Sequence, residues 1–192
     1  MTSHHIFDPK HIANLESEDR KNWQNPKEII DLLELKPNFV VADLGCGTGY
    51  FSIPIASKVK KVYAIDIQKE MLTFLDQKIR KQKIENIKTL LSKENEISLK
   101  DRSVDLLISV NTLHEFRDKD AIVNEIRRVL KVDGRAVIVD FRKEDMDFGP
   151  PLSIRVSKKE AKRLFKRKGL TALKTHDLKF QYLIFFIKTE SE

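Results

Sequence analysis

The chain has 192 residues, 41% of them hydrophobic, which suits one globular domain rather than a disordered or low-complexity chain. The longest apolar run, Tyr182–Ile187, is far too short to cross a bilayer, and the opening MTSHHIFDPKH lacks the apolar core of a signal peptide. Cys46 is the only cysteine, so an internal disulfide is excluded and a soluble cytoplasmic protein is expected, while the net charge of +7 leaves acidic partners open.

Residues 1–24 read as a lid or cap segment ahead of a single domain over 25–192, and the large groups this lid offers are Phe7, His11, Arg20 and Trp23. Asn25–Glu28, NPKE, has the form of a helix start: a capping residue, proline in the first helical position, and glutamate three beyond the cap. Phe39–Asp43 is a buried-strand run, and a glycine-rich turn follows it. Val62–Asp66 is the second strand, and after it Gln68–Lys83 places Met71, Leu72, Leu75 and Ile79 on one helical face. Ile87–Ser92 and Val104–Val110 are the third and fourth strands. Asp118 caps a helix that buries Ile122, Val123, Ile126 and Val129, and the spacing predicts that Gly134 stops it in a left-handed conformation. Arg135–Phe141 is the fifth strand.

From Lys158 to Lys168 the chain carries seven basic residues and one acid, behind a second capping signal, Ser157–Glu160. Ala161, Leu164, Phe165 and Lys168 fall at helical spacing, so the run reads first as a solvated helix face. Two further strand-like stretches, 170–178 and 180–189, are joined too tightly for a parallel pair. The expected fold is α/β: a doubly wound, mostly parallel seven-stranded sheet ending in an antiparallel hairpin.

The turn after the first strand, VVADLGCGTGYFS (Val40–Ser52), is where such a sheet binds its ligand. A phosphate-gripping loop needs Lys-Ser/Thr after its last glycine, and here Tyr50 and Phe51 follow Gly49. A dinucleotide site prefers G-x-G-x-x-G, and here Gly45, Gly47 and Gly49 are spaced G-x-G-x-G. Asp66 ends the second strand, placed to accept a ribose diol, and Asp43 lies ahead of the glycines, where a carboxylate favours a cationic ligand over a pyrophosphate.

The stretches VVADLGCGTGYFS, VYAIDIQKEML, DRSVDLLISVNTLHEF and RVLKVDGRAVIVDF together resemble the successive signatures of class I S-adenosylmethionine-dependent methyltransferases. The branch they resemble is that of the small ubiquinone- and menaquinone-biosynthesis enzymes. The resemblance implies a Rossmann-like methyltransferase fold with S-adenosylmethionine as cofactor and S-adenosylhomocysteine as product. It implies that Asp43, Gly45 and Gly47 contact the methionine part, with Cys46 and Gly49 of the same turn among the cofactor-binding residues, and that Asp66 holds the ribose while Ile67 and Met71 pack near the adenosine. It puts Ser109 beside the transferred methyl. Lys93 stands where that family carries an acid to adenine, so the adenine contact falls to Glu94 or Asn95.

Three residues near the strand ends are candidates for a general base: His114, whose type ordinarily titrates at a pKa of about 6.5, Asp140 and Glu115. His114 and Asp140 are each taken as a catalytic candidate; Asp140 could equally accept from loop amides, and Glu115 could simply be solvated. Tyr50, Arg142 and the loop Arg142–Arg155 join the lid as substrate-facing elements. His4, His5 and His11 lack a supporting cysteine or carboxylate cluster, so no metal is expected. One cysteine cannot support arsenite or cytosine-C5 chemistry, and Ser109–Phe116 lacks the motif of amino-methylating nucleic-acid enzymes, which favours a small-molecule acceptor. RNA or protein methylation using the Lys158–Lys168 helix is the alternative, and a non-catalytic nucleoside-binding module is a third reading. The oligomeric state stays open.

Overall fold

Seven strands order the described part of the chain, residues 18–188 of a computed structural model. They are β1 (Val40–Leu44), β2 (Lys61–Asp66), β3 (Ile87–Leu91), β4 (Val104–Val110), β5 (Leu130–Phe141), β6 (Leu170–Asp177) and β7 (Gln181–Lys188). The helices are α1 (Glu18–Trp23), α2 (Pro26–Leu32), α3 (Ser52–Ala56), α4 (Lys69–Gln82), α5 (Lys119–Val129) and α6 (Lys158–Lys166), with a 3₁₀ turn at Leu113–Glu115. The sheet order is β3-β2-β1-β4-β5-β7-β6, and β7 alone runs against its neighbours. This is the mostly parallel sheet with a terminal hairpin that the alternation of apolar runs implied.

The central strands are apolar on both faces because both faces are covered. In β7, Tyr182, Ile184 and Phe186 pack into the cluster that includes α5 and α6, while Leu183 and Phe185 pack with α2 and α3. Phe165 of α6 stacks on Phe186 with ring centroids 4.1 Å apart, and both are fully buried. Three helix starts form as their sequences dictate. Asn25 accepts from Lys27 N at 3.0 Å, Asp118 accepts from Ala121 N at 2.8 Å, and Ser157 with Glu160 closes a full capping box. Each such cap contributes about 1 kcal/mol.

One local expectation fails. Gly134 does not turn left-handed; Asp133 does, at φ 59°. The helix α5 passes straight into β5 through an extended Leu130, and the next four residues loop out before pairing resumes at Leu106–Arg135. Gly134 is still required, because a Cβ there would meet the Lys131 carbonyl oxygen at 2.9 Å. The fifth strand therefore begins five residues earlier than the apolar run suggested.

The basic run Lys158–Lys168 forms α6 and its exit. Ala161, Leu164 and Phe165 are buried, while Lys162, Arg163 and Lys166 are exposed. Among the described residues, no helix is long and apolar enough to cross a membrane.

Candidate active site

The carboxyl ends of β1 to β5 open into one crevice of about 540 Å³, within the ordinary size range of small-molecule sites. Its base is the glycine turn. Gly45 sits at φ 74°, and a Cβ on it would come within 2.5 Å of Thr112 Oγ1. Only glycine lets the turn after β1 approach the loop after β4 so closely. Gly49, at φ 85°, backs onto α4 instead: a Cβ would meet Leu75 Cδ1 at 2.4 Å.

Two buried carboxylates flank this turn. Asp66 accepts from Gly47 N through one oxygen and from Gln68 N through the other, each at 2.9 Å. It thereby fixes the turn and satisfies an orphan amide at the start of α4. Burial raises its carboxyl above the ordinary range, against the pull of those amides. Asp43 lies below the turn, fully enclosed, and accepts from Ser52 Oγ at 2.5 Å. Burial pushes it up to about 6; the Ser52 hydroxyl opposes this, and the Asp66 charge adds to it. Between about pH 4 and pH 6 the native state thus holds a proton that the unfolded chain has released. Stability falls as pH rises through that window, and the whole cost is present above it. Asp43→Asn is therefore expected to be more stable than the parent at pH 7 by on the order of 2–3 kcal/mol, the gap closing toward pH 4. Urea unfolding of both proteins at the two pH values measures this, and a gap that does not change with pH refutes it.

On the other side of the crevice, His114 and Asp140 form a pair. The 3₁₀ turn carries His114, and β5 carries Asp140 near its end. His114 Nδ1–H donates to Asp140 Oδ1 at 2.7 Å, and the backbone amides of His114 and Phe141 donate to the same carboxylate at 3.0 and 2.8 Å. A carboxylate only accepts, so the proton lies on Nδ1 and Nε2 is left as the acceptor. The nearest carboxylate to Nε2 is Glu115, at 4.0 Å. Lys119 holds the turn from behind by donating to the Phe116 carbonyl at 2.7 Å, and burial lowers its pKa while Asp140 resists that shift.

Aromatic rings close the same side. Trp23 lies 5.9 Å from Phe141 and 5.4 Å from Phe148, and Phe141 lies 6.2 Å from the His114 ring. Arg155, almost fully buried, shapes the loop bearing Phe148 by donating to the carbonyls of Pro150, Glu144 and Phe148 at 2.7, 2.7 and 3.0 Å. The helix α1 is pinned over the crevice: Arg20 lies 3.9 Å from the Tyr50 ring centroid, and Tyr50 Oη donates to Gln24 O at 2.9 Å.

Of the residues expected at the cofactor, Gly45, Cys46, Gly47, Asp66, Ile67, Met71 and Glu94 line the crevice. Four do not. Asp43 sits beneath the turn, Gly49 faces Leu75, Ser109 is buried within β4, and Asn95 is exposed on the turn bridged by Lys93 and Glu96. His114, Glu115, Arg20 and Trp23 line it as well, and Asp140 stands directly behind His114. Tyr50 supports Arg20 from outside the lining, and Arg142 is turned to the hairpin, donating to Lys179 O at 2.8 Å. Phe7 and His11, with His4 and His5, lie outside the described residues. Among the described residues, no group of three or more His, Cys, Asp or Glu could hold a metal ion. Phe141, Phe148, Thr112 and Arg155 had escaped the sequence reading. Only the overhanging Arg142–Arg155 loop pointed toward two of them.

Comparison with known proteins gives this crevice a setting. A solved SAM-dependent methyltransferase from Aquifex aeolicus matches with a TM-score of 0.90 at 29% identity, covering 96% of this chain and 100% of that one. The uncharacterized methyltransferase YcgJ of Bacillus subtilis is 28% identical over 112 residues, 58% of this chain and 44% of its own. The demethylmenaquinone methyltransferase of Lactobacillus johnsonii is 32% identical over 127 residues, 63% of this chain and 50% of its own. The chain thus spans about half the length of the curated relatives it matches. A family model described as a methyltransferase domain matches residues 35–181, which takes in every strand whose end lines the crevice. The chain belongs to this methyltransferase-domain family, in the class I S-adenosylmethionine-dependent group.

Proposed function

We propose that the chain transfers the methyl group of S-adenosylmethionine to a small, flat and largely apolar acceptor that gives up a proton to His114. The observation that carries the cofactor half is the pair of buried carboxylates at the glycine turn. Burial leaves the ionised carboxylates of Asp43 and Asp66 poorly solvated beside the turn, so a cation there is attracted and a diphosphate repelled. Each oxygen of Asp66 has given one lone-pair direction to an amide and keeps another for a ribose hydroxyl. Ile67 and Met71 offer apolar packing beside it, and Glu94 stands at the same wall for an exocyclic amine. Arg20 supports the reading as a partner for the methionine carboxylate.

Bound S-adenosylmethionine supplies a methyl group already activated on a sulfonium. The chain's own work is then to align the acceptor and take its proton. Trp23, Phe141 and Phe148 present ring faces and edges that suit a planar apolar body, and α1 acts as the lid that seats Trp23. Held geometry of this kind is worth up to roughly 7–11 kcal/mol of barrier. Asp140 fixes the His114 ring through Nδ1, which leaves Nε2 to act as the base for an acceptor in the crevice that His114 lines. A small-molecule acceptor also agrees with the name of the Lactobacillus johnsonii relative. Because the crevice runs on from the glycine turn to His114, the acceptor has a place, which favours an enzyme over a nucleoside-binding module.

Titration calorimetry with S-adenosylhomocysteine tests the cofactor half, and no heat at millimolar ligand rejects it. Labelled-methyl transfer into separated metabolite, protein and RNA pools tests the acceptor half. Label confined to macromolecules overturns the small-acceptor reading.

A further inference from the structure

Between β5 and α6, residues 142–157 form neither helix nor strand. So long a loop in a compact domain ordinarily serves a function. Among the described residues, no backbone–backbone hydrogen bond involves residues 143–150. Their carbonyls converge on one side chain instead. Arg155 Nε donates to Pro150 O at 2.7 Å, Nη1 to Glu144 O at 2.7 Å and to Arg142 O at 3.3 Å, and Nη2 to Phe148 O at 3.0 Å. Each nitrogen of the buried guanidinium is thus engaged by this one loop, and no carboxylate pairs with it among the described residues.

The loop lies close against the strand it leaves. Gly149, at φ 96°, packs on both the Phe141 ring and the guanidinium: a Cβ there would meet Phe141 Cε1 at 2.9 Å and Arg155 Nη2 at 3.4 Å. The neighbouring Phe148 meets three rings edge-on, with centroids 4.6 Å from Phe180, 5.4 Å from Trp23 and 6.0 Å from Phe141. Phe148, Gly149 and Pro150 line the crevice, whereas Arg155 stands behind them, outside the lining.

We propose that Arg155 is a positioning residue of the acceptor site: its guanidinium holds the loop in the conformation that stands Phe148 against Trp23 and Phe141. The inference rests on the acceptor reading above and names the residue that sets its aromatic wall. Backbone carbonyls turned away from water need donors, and a loop without a ladder has none of its own to offer. The planar guanidinium supplies them in a rigid fork, so the carbonyls it binds are fixed relative to one another. A lysine ammonium has three donors, fewer than the four carbonyls bound here, and sits on a flexible stem. All four bonds stay within residues 142–150, so their loss loosens the wall and leaves the sheet and the glycine turn as they are.

Trp23 is the chain's one tryptophan, so its emission reports on this wall. Arg155→Met deletes the donors, and its Trp23 emission is expected to move to the red and to be quenched more steeply by acrylamide than the parent's. Labelled-methyl transfer, read against increasing amounts of the metabolite pool, should need about 10- to 100-fold more pool for half-saturation at a limiting rate near the parent's. The wall touches the acceptor body alike before and during transfer, which is why half-saturation moves and the limiting rate does not. S-adenosylhomocysteine titration should match the parent. Arg155→Lys should fall between the two. Gly149→Ala keeps the guanidinium and displaces the wall through its own clash with Phe141, so it is expected to show both signatures even if Arg155→Met does not fold. Parent-like emission and half-saturation in the folded variants overturn the inference. So does a lower limiting rate at unchanged half-saturation, which reports fewer folded molecules and not a displaced wall. A shifted Trp23 emission with unchanged half-saturation also overturns it, since the acceptor then sits elsewhere in the crevice. A parent protein that labels nothing in the metabolite pool is a separate failure: it rejects the acceptor reading itself, and this inference with it.

Discussion

Asp66→Ala is expected to weaken S-adenosylhomocysteine binding by on the order of 100- to 1,000-fold. The carboxylate serves two structures at once. It ties the glycine turn to the start of α4 through Gly47 N and Gln68 N, and it turns its remaining acceptor capacity to the crevice. A hydrogen bond to a charged group is worth about 1.5–3 kcal/mol, so two lost ribose bonds cost about 3–4 kcal/mol at the lower end. Loosening of the turn adds to this, because two amides near the crevice then lack their acceptor. Asp66→Asn is the informative partner. It keeps the size, but its amide group must oppose one of the two N–H donors, so it is expected to lose nearly as much as alanine. Calorimetric titration of both variants, with circular dichroism to confirm folding, decides the matter. Affinity within threefold of the parent in the alanine variant would sink the ribose role.

The reading of the chain succeeded where the signal is local. Val104–Val110 forms β4 end to end, and Asn25, Asp118 and Ser157 cap helices as their spacing dictates. These features depend on side chains a few residues apart, so periodicity and capping rules suffice to find them. Gly134 failed because the helix stop was set by pairing with a distant strand, which let α5 run directly into β5. In the site, the glycine turn and Asp66 were legible because position after a strand implies position over the sheet.

Which way a side chain faces from that position was not legible. Asp43 ends up beneath the turn because Ser52, nine residues on, offers it a hydroxyl there. Arg142 and Arg155 are both arginines of one loop. The first is drawn to Lys179 O on the hairpin, and the second is buried among the carbonyls of its own loop. No local rule separates them, since the choice depends on where free carbonyls gather after folding. Phe141 and Phe148 were hidden for the same reason: their meeting with Trp23 joins residues more than a hundred positions apart.

His114 and Asp140 were both legible as separate base candidates near the strand ends, but the hydrogen bond that joins them forms only in the tertiary fold, and it carries the second large expected effect. His114→Gln is expected to lower labelled-methyl transfer by about 10²- to 10⁴-fold, the usual worth of a general base, while S-adenosylhomocysteine binding stays near that of the parent. The acid limb of the pH–rate profile, where a base is lost to protonation, should disappear with it. Asp140→Asn acts through the same ring. An asparagine oxygen can still receive the Nδ1–H, but its amide group then faces the backbone N–H of His114 or Phe141, both of which donate to Asp140. The ring is then less firmly held in the tautomer that leaves Nε2 as acceptor, and a loss of about 10- to 100-fold is expected, with the acid limb retained. That difference in pH profile separates a base from the group that orients it, which a shared fall in rate would not. An acceptor that arrives already ionised needs no base, so full activity in His114→Gln with an unchanged profile would leave the pair as a structural clamp between the 3₁₀ turn and β5.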